Sequence, residues 1–396
     1  LLAALGEGQS GSPSATLHTA IVPWHNAAEA GLIERGRVLV ARTLREVVAY
    51  LCEGTPLPEA RPTPFLPSSD PVIEGDLSEV RGQIQARRAL EVAASGAHNL
   101  LFVGPPGAGK TLLARLLRTI LPPLTFEEAL ETTAVHSVAG ILSPDKGIVQ
   151  ARPFRSPHHS VSEAGLVGGG SQPRPGEVSL AHNGVLFLDE LGEFRRGALE
   201  ALRQPLEDRR VHIARSRARA SFPARPLLIA AMNPCPCGFR SGIPPARVCR
   251  CSPAQVERYR HKLSGPLLDR IDLHVLLPPV DVRTLSQSGP SESSASVRER
   301  VIAARERQLQ RFQSGLTSAR TNAELPLDEL KRITSLGTES RRLLESAATQ
   351  LGLSARAFVK VLRVARTIAD LEHQEKVSAG HVAEAIQGRI LDHQRA

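Results

Sequence analysis

Nothing in this chain is long and apolar enough to cross a bilayer: stretches such as Val185–Leu188 are strand-sized, whereas a spanning helix takes ~20 apolar residues. No membrane partner is expected. Leu1 to Gly8 carry neither a basic n-region nor a cleavage pattern. Cysteine is scarce. Of the five, Cys52 stands alone as a small core residue, and the other four lie between Cys235 and Cys251, which is not a secreted disulfide framework. In a reducing compartment such a cluster suggests a metal. No internal repeat is found, and the first residue is not Met; the sequence reads as a fragment of a cytoplasmic protein.

What is present is the composition of a globular protein, 41% hydrophobic and 22% charged, in 396 residues that call for two or three packed units. The formal net charge of +9 suits a polyanionic partner, but the excess is mostly arginine spread along the chain. By itself it only permits nucleic acid.

Residues 1–53 hold a short run, Thr19–Pro23, a helical stretch from Asn26, the run Val38–Val40 and a second helix around Leu44–Leu51. Six prolines from Pro56 to Pro71 remove backbone donors and stiffen the chain, so residues 54–70 read as a linker. From 71 to 283, short apolar runs alternate with helices, the pattern of an α/β unit whose parallel sheet lies between helices. Leu100–Val103, Val185–Leu188, Leu227–Ala231 and Leu273–Leu277 are the expected strands. Ser286, Ser288, Ser291, Ser293, Ser294 and Ser296 crowd into eleven residues, and 284–296 reads as a flexible loop. Residues 297–396 read as an all-α lid. Ser354 can cap a helix whose Phe358, Val361, Leu362, Ala365 and Ala369 share a face, and Ser378 another with Val382, Ala385 and Ile386.

Gly104, Pro105, Pro106, Gly107, Ala108, Gly109, Lys110 and Thr111 follow the pattern G-x-x-x-x-G-K-[ST], between the strand Leu100–Val103 and a helix expected over Leu112–Ile120. The glycines let the loop turn its N–H groups onto phosphates, the helix N-terminus adds a positive end, Lys110 reaches the β- and γ-phosphates, and Thr111 holds Mg²⁺. The strand Val185–Leu188 then ends in Asp189 and Glu190, which suit a water-bridged Mg²⁺ ligand and a base that polarises the attacking water. Asn233, after the third strand, can orient that water. Arg270, before the fourth, and Arg356 or Arg363 on the lid are candidate contacts to a γ-phosphate whose assignment rests on a family resemblance, since most arginines are simply solvated. ATP and Mg²⁺ are therefore the expected substrate and cofactor.

These residues together resemble the AAA+ P-loop ATPases. Arg152-Pro-Phe-Arg-Ser-Pro-His158-His159, Gly168-Gly-Gly-Ser, Pro173 to Gly184, Ser264-Gly-Pro-Leu-Leu-Asp-Arg270-Ile-Asp and, in the lid, Leu362 to Leu371 are similar to the magnesium-chelatase-like branch of ComM (YifB) type, from about residue 70 to the end. The resemblance implies a homo-hexamer with ATP sites between subunits, Arg270 as arginine finger and Arg356 as the lid arginine called sensor 2, with Arg363 as the alternative. It also implies that residues 1–53 are the last portion of a Lon-protease-like α/β domain without peptidase function. Segment 152–180 would be an insertion, and Val211–Phe222 a hairpin, both directed at the ring's pore.

Arg209, Arg210, Arg215, Arg217, Arg219 and Arg225 put six guanidiniums into seventeen residues near only one carboxylate, Asp208, which suits a phosphate backbone and not bases. Arg215, Arg217 and Arg219 are the candidate DNA contacts. For His158 and His159, pore contacts and local hydrogen bonds stay open. Cys235, Cys237, Cys249 and Cys251 form two Cys-x-Cys pairs, the right number for tetrahedral Zn²⁺ though tighter than the common spacing; a structural zinc and four free thiols are both open. Three functions compete. They are a DNA-translocating motor driving branch migration during recombination of incoming DNA in natural transformation, a metal-insertion ATPase subunit of magnesium chelatase type, and a MoxR-like protein-remodelling chaperone.

Overall fold

Successive side chains of a strand point to opposite faces, so a strand that is apolar throughout has to be covered on both. Leu100–Val103, Val185–Leu188 and Leu227–Met232 are buried in this way and, with Leu273–Leu276 and Phe154–Arg155, form one parallel five-stranded sheet. The structure is a computed structural model that describes residues 19–31, 37–60, 65, 75–142, 147–170, 172–215, 218–240, 248–279 and 291–389. Numbered along the chain, the strands lie in the order 5-1-4-3-2. Strands 1, 4 and 3 are thus neighbours, and their carboxyl ends release Gly104, Asn233 and Asp189 on one edge, where open parallel sheets place their ligands. Phe154–Arg155 was not expected as a strand. It is two half-buried residues long, one of them charged, and carries no apolar run to read.

Leu100, Phe102, Val185, Phe187, Ile229 and Val275 face one core; Leu101, Val103, Leu186, Leu188, Leu228 and Met232 face the other. The first face is covered by the helices Ile84–Gly96 and Lys110–Ile120 and by the lid, whose Val301, Leu344, Val361, Ala365 and Val382 enter the same cluster. The second is covered by Leu166, Val178, Leu199, Val211, Tyr259 and Leu267.

Two compact units result, residues 1–70 with 123–152, and residues 71–122 with 153–396. In the first, Thr19–Pro23 pairs in parallel with Arg37–Ala41, and Thr43 caps the helix Leu44–Glu53. The segment expected as a linker starts as an edge of this small sheet: the Pro58 carbonyl accepts from the Val40 N–H at 2.8 Å, and the Ala60 N–H donates to Val38 at 2.9 Å. Proline lacks a donor but keeps its acceptor, so the prolines do not prevent this pairing. The helix Phe126–Ala139 of this unit opens on a Thr125–Glu128 capping box.

The second unit holds sheet and lid. The lid consists of the helices Ser294–Gln313, Leu327–Thr334, Thr338–Gln350, Ala355–Leu371 and Ala379–Gln387. Ser354 accepts from the Ala357 N–H at 3.1 Å and Ser378 from the His381 N–H at 3.3 Å, the two caps read from the sequence. The serine-rich stretch ends differently from the loop expected there. Ser294 begins the helix, its N–H donating to the Asp76 carboxylate at 3.1 Å and its Oγ accepting from the Leu77 N–H at 2.8 Å, while Ser291 donates to the Val80 carbonyl. These serines tie lid to core, and residues 280–290 lie outside the described residues. Among the described residues no helix is long and apolar enough to cross a membrane.

Candidate nucleotide site and its surroundings

The loop after Val103 turns at Gly107 (φ +78) and Gly109 (φ +87), left-handed conformations that glycine adopts without strain, and nothing lies within 4 Å of where a Cβ would stand on either. The loop therefore lines open space. Its helix, Lys110–Ile120, starts two residues earlier than expected because Lys110 and Thr111 are already helical. Lys110 folds back over the loop, donating to the carbonyls of Gly104 at 2.6 Å and Pro105 at 2.8 Å and to Asn233 Oδ1 at 3.1 Å. Burial lowers its pKa, against the opposing pull of the Asp189 and Glu190 carboxylates.

Thr111 Oγ1 donates to Asp189 Oδ2 at 2.7 Å. A hydroxyl and a carboxylate side by side form the hard-oxygen donor set that suits Mg²⁺. Glu190 takes up a left-handed conformation (φ +51), with its N–H on Asp189 Oδ1 at 2.9 Å. That backbone costs roughly 1 kcal/mol for a residue with a Cβ and turns the side chain off the strand line. Its carboxylate meets His159 Nδ1 at 3.3 Å, and the His159 ring stands edge-on to Phe194. Of the two readings left open for the histidines, His158 fits the local one, with Ser160 Oγ at 2.8 Å; His159 does not. Its contact with Glu190 has no signal in the sequence, because 31 residues separate the two and only the pairing of Phe154–Arg155 beside Val185–Leu188 brings them together.

Arg270 is engaged within its own chain. It donates to the carbonyls of Arg203 at 2.8 Å and Pro266 at 2.7 Å and pairs with Glu207. Arg356 reaches the same carboxylate at 3.8 Å and is 61% exposed. Arg363, by contrast, is half-buried with both its Nε and Nη2 on the Leu325 carbonyl, at 2.9 and 2.6 Å. Glu207, beside Asp208 at the end of a charged helix, carries no sequence pattern that marks it.

The arginine-rich segment forms an antiparallel hairpin, Arg210–Arg215 with Ala218–Pro223, anchored by buried Val211 and Ile213. Beside it lies the segment 152–180, in which Gly168–Gly169 pairs with Arg174–Pro175; a Cβ on Gly168 would stand 3.1 Å from Ile213 Cδ1. Arg155 holds Glu177 through two bonds of 2.6 and 2.7 Å. Not all six arginines stand clear of acids as the sequence suggested. Arg209 pairs with Glu324 of the lid, a carboxylate 115 residues away in sequence, and Arg210 bonds Ser221 Oγ at 3.0 Å. Arg219 is exposed; Arg217 and the side chain of Arg215 lie outside the described residues.

The sulfurs of Cys235, Cys237, Cys249 and Cys251 all lie within 4.8 Å of one another, with Cys235 to Cys237, Cys235 to Cys249 and Cys237 to Cys249 at 3.4, 3.7 and 3.6 Å. A tetrahedron with Zn–S bonds of ~2.3 Å has sulfur–sulfur edges of ~3.8 Å, so the set fits zinc. The Phe239 N–H, then that of Arg250, pulls the Cys237 thiol down to about 6 despite some burial, whereas burial pushes Cys235 up to about 12.

Two family patterns match the chain: magnesium chelatase, subunit ChlI, over residues 76–285, and the C-terminal region of the same subunit over residues 291–389. The chain is 48% identical over 374 residues to the uncharacterized protein YifB of Salmonella typhimurium, covering 94% of this chain and 71% of that one. It is 45% identical over 376 residues to the competence protein ComM of Haemophilus influenzae, with the same shares of 94% and 71%. Lon protease 2 of Bacillus subtilis is 32% identical over 158 residues, 37% of this chain and 28% of that one, a match too long to lie within residues 1–53 alone.

Proposed function

This chain belongs to the magnesium chelatase subunit ChlI family, as an AAA+ protein of ComM type, and from that premise we propose that it hydrolyses ATP as a hexameric motor acting on DNA. The observation that carries the ATPase reading is the convergence of Lys110, Thr111, Asp189, Glu190 and Asn233 at the ends of three adjacent strands. Amides of residues 107–111 receive the β-phosphate oxygens, and Lys110 exchanges the Gly104 and Pro105 carbonyls for phosphate. Thr111 and Asp189 hold Mg²⁺, which supplies charge neutralisation on the phosphates. Glu190 takes a proton from water as the water oxygen bonds to the γ-phosphorus and the bond to the β,γ-bridging oxygen breaks; Asn233 orients that water.

Arg270 and Arg356 serve a neighbouring subunit's phosphate, each leaving Glu207 to do so. Arg356 is preferred to Arg363 because the guanidinium of the latter is held by two bonds to the Leu325 carbonyl. The core 71–283 and lid 297–396 are proposed as the working domains, and the hairpin arginines as the grip on DNA phosphates during recombination of incoming DNA, a role the name of the competence relative supports. The four cysteines are proposed to hold one structural zinc.

The family's name favours a second reading, a metal-insertion subunit. ATP hydrolysis by the assembled protein, measured with and without single-stranded and forked DNA, separates them. DNA of any sequence should raise the rate several-fold; a rate indifferent to DNA would move the weight to metal insertion or to remodelling of a protein client.

A further inference from the structure

The turn that carries the cysteines also touches the phosphate loop. Gly238 follows Cys235-Pro-Cys237, and its N–H donates to the Cys235 carbonyl at 2.9 Å, closing a tight turn with Gly238 at φ +84. A Cβ there would stand 2.6 Å from Cδ and 2.9 Å from Cγ of Pro106, closer than carbon atoms pack, and 3.8 Å from the Asn233 side-chain carbon. The backbone of the cysteine turn thus lies directly against a proline ring at the crest of the phosphate loop. The same segment begins at Asn233, whose Oδ1 accepts from Lys110 and whose N–H donates to the hydroxyl of Tyr259, which burial pushes up to about 12. Two contacts therefore join the sulfur cluster to the loop, one through Pro106 and one through Lys110.

We propose that the four-cysteine turn is a positioning element for the nucleotide: with zinc in place it seats Gly238 against Pro106 and Asn233 beside Lys110, and so sets how tightly the loop holds ATP. The inference rests on the ATP-site and zinc readings above. Its physical basis is preorganisation, since a loop already fixed loses less conformational freedom when phosphates arrive. Gly238 is the residue through which it acts, because only a residue without a side chain lets the turn approach the ring and keeps φ at +84 without strain.

The test uses the full chain, purified without chelator, with zinc measured by elemental analysis and affinity by a fluorescent ATP analogue in Mg²⁺. Gly238→Ala keeps all four sulfurs and should retain one zinc per chain, yet bind the analogue about tenfold more weakly, as Pro106 is displaced. Adding Pro106→Ala removes both atoms that the new methyl meets, so the double variant should bind close to Pro106→Ala alone. Stripping zinc with a thiol-tolerant zinc chelator should weaken binding of the unaltered protein to a similar degree, and zinc should restore it. Unchanged affinity in zinc-loaded Gly238→Ala overturns the proposal, as does a double variant as weak as Gly238→Ala, or unchanged affinity after stripping. Protein isolated with no zinc overturns the zinc reading, and unaltered protein that does not bind the analogue overturns the ATP reading. Both results are distinct from failure of the coupling.

Discussion

Lys110 and Glu190 sit on opposite sides of the phosphate loop's chemistry, and their substitutions should part accordingly. The Lys110 ammonium is held over the loop by two carbonyls and Asn233, a charge waiting for an anion. Lys110→Ala is expected to lose nucleotide binding. The Glu190 carboxylate meets His159, so Glu190→Gln should still bind ATP while hydrolysis falls by roughly 10²–10⁴-fold. Equal binding and turnover in both, by equilibrium binding and phosphate release, would displace these assignments. His98 is a residue of another kind. It is fully buried, its Nε2 lies 2.7 Å from Thr367 Oγ1 of the lid, and burial holds its pKa down to about 4. The folded value lies below the unfolded value of ~6.5, so the unfolded chain takes up the proton first, and stability should fall as pH drops from 6.5 toward 4. Between pH 6.5 and 5 the unaltered protein should lose about 1.5 kcal/mol more than His98→Gln, measured by urea unfolding; parallel losses would mean that another group is responsible.

Among elements, the hairpin Arg210–Arg215 with Ala218–Pro223 tests the DNA reading. If its arginines neutralise phosphates, Arg215, Arg217 and Arg219 changed together to Ala should flatten the salt dependence of single-strand binding by up to roughly two units of slope. DNA-independent hydrolysis should stay near its starting value, and an unaltered slope would remove the hairpin from the interface. The elements that could be read from the sequence share one property. Leu100–Val103, Val185–Leu188 and Leu227–Met232 are buried on both faces and so are apolar at every position, and the phosphate loop is fixed by local backbone requirements. What could not be read depends on partners distant in the chain. Phe154–Arg155 is a strand only because Val185 and Leu186 lie beside it. Ser294 is an anchor because Asp76 and Leu77 meet it, and Arg209 is neutralised by Glu324. Periodicity and turn chemistry are local signals, and none of these pairings is local.

For the whole molecule, the proposed ring turns on Arg270. In an isolated chain it pairs with Glu207 and two carbonyls, none of them part of the phosphate loop of its own subunit. Arg270→Ala should therefore bind ATP but hydrolyse it poorly, and mixing it with Lys110→Ala protein should recover part of the activity. In a mixed ring, some interfaces join an intact Lys110 to an intact Arg270 from the neighbour. Full activity of Arg270→Ala alone, measured by phosphate release, would remove its action across the interface. The lid has a further consequence for the subunit. Val361, Ala365 and Val382 lie in the same apolar cluster as Leu100 and Phe102 of the sheet, and Lys360 meets Asp272 at 2.8 Å in a pair almost closed to solvent. Lifting the lid would bare the apolar sheet face to water and separate Lys360 from Asp272, so the cost is carried mainly by the exposed apolar surface. On heating, sheet and lid are therefore expected to melt as one cooperative block, with a single calorimetric transition spanning both.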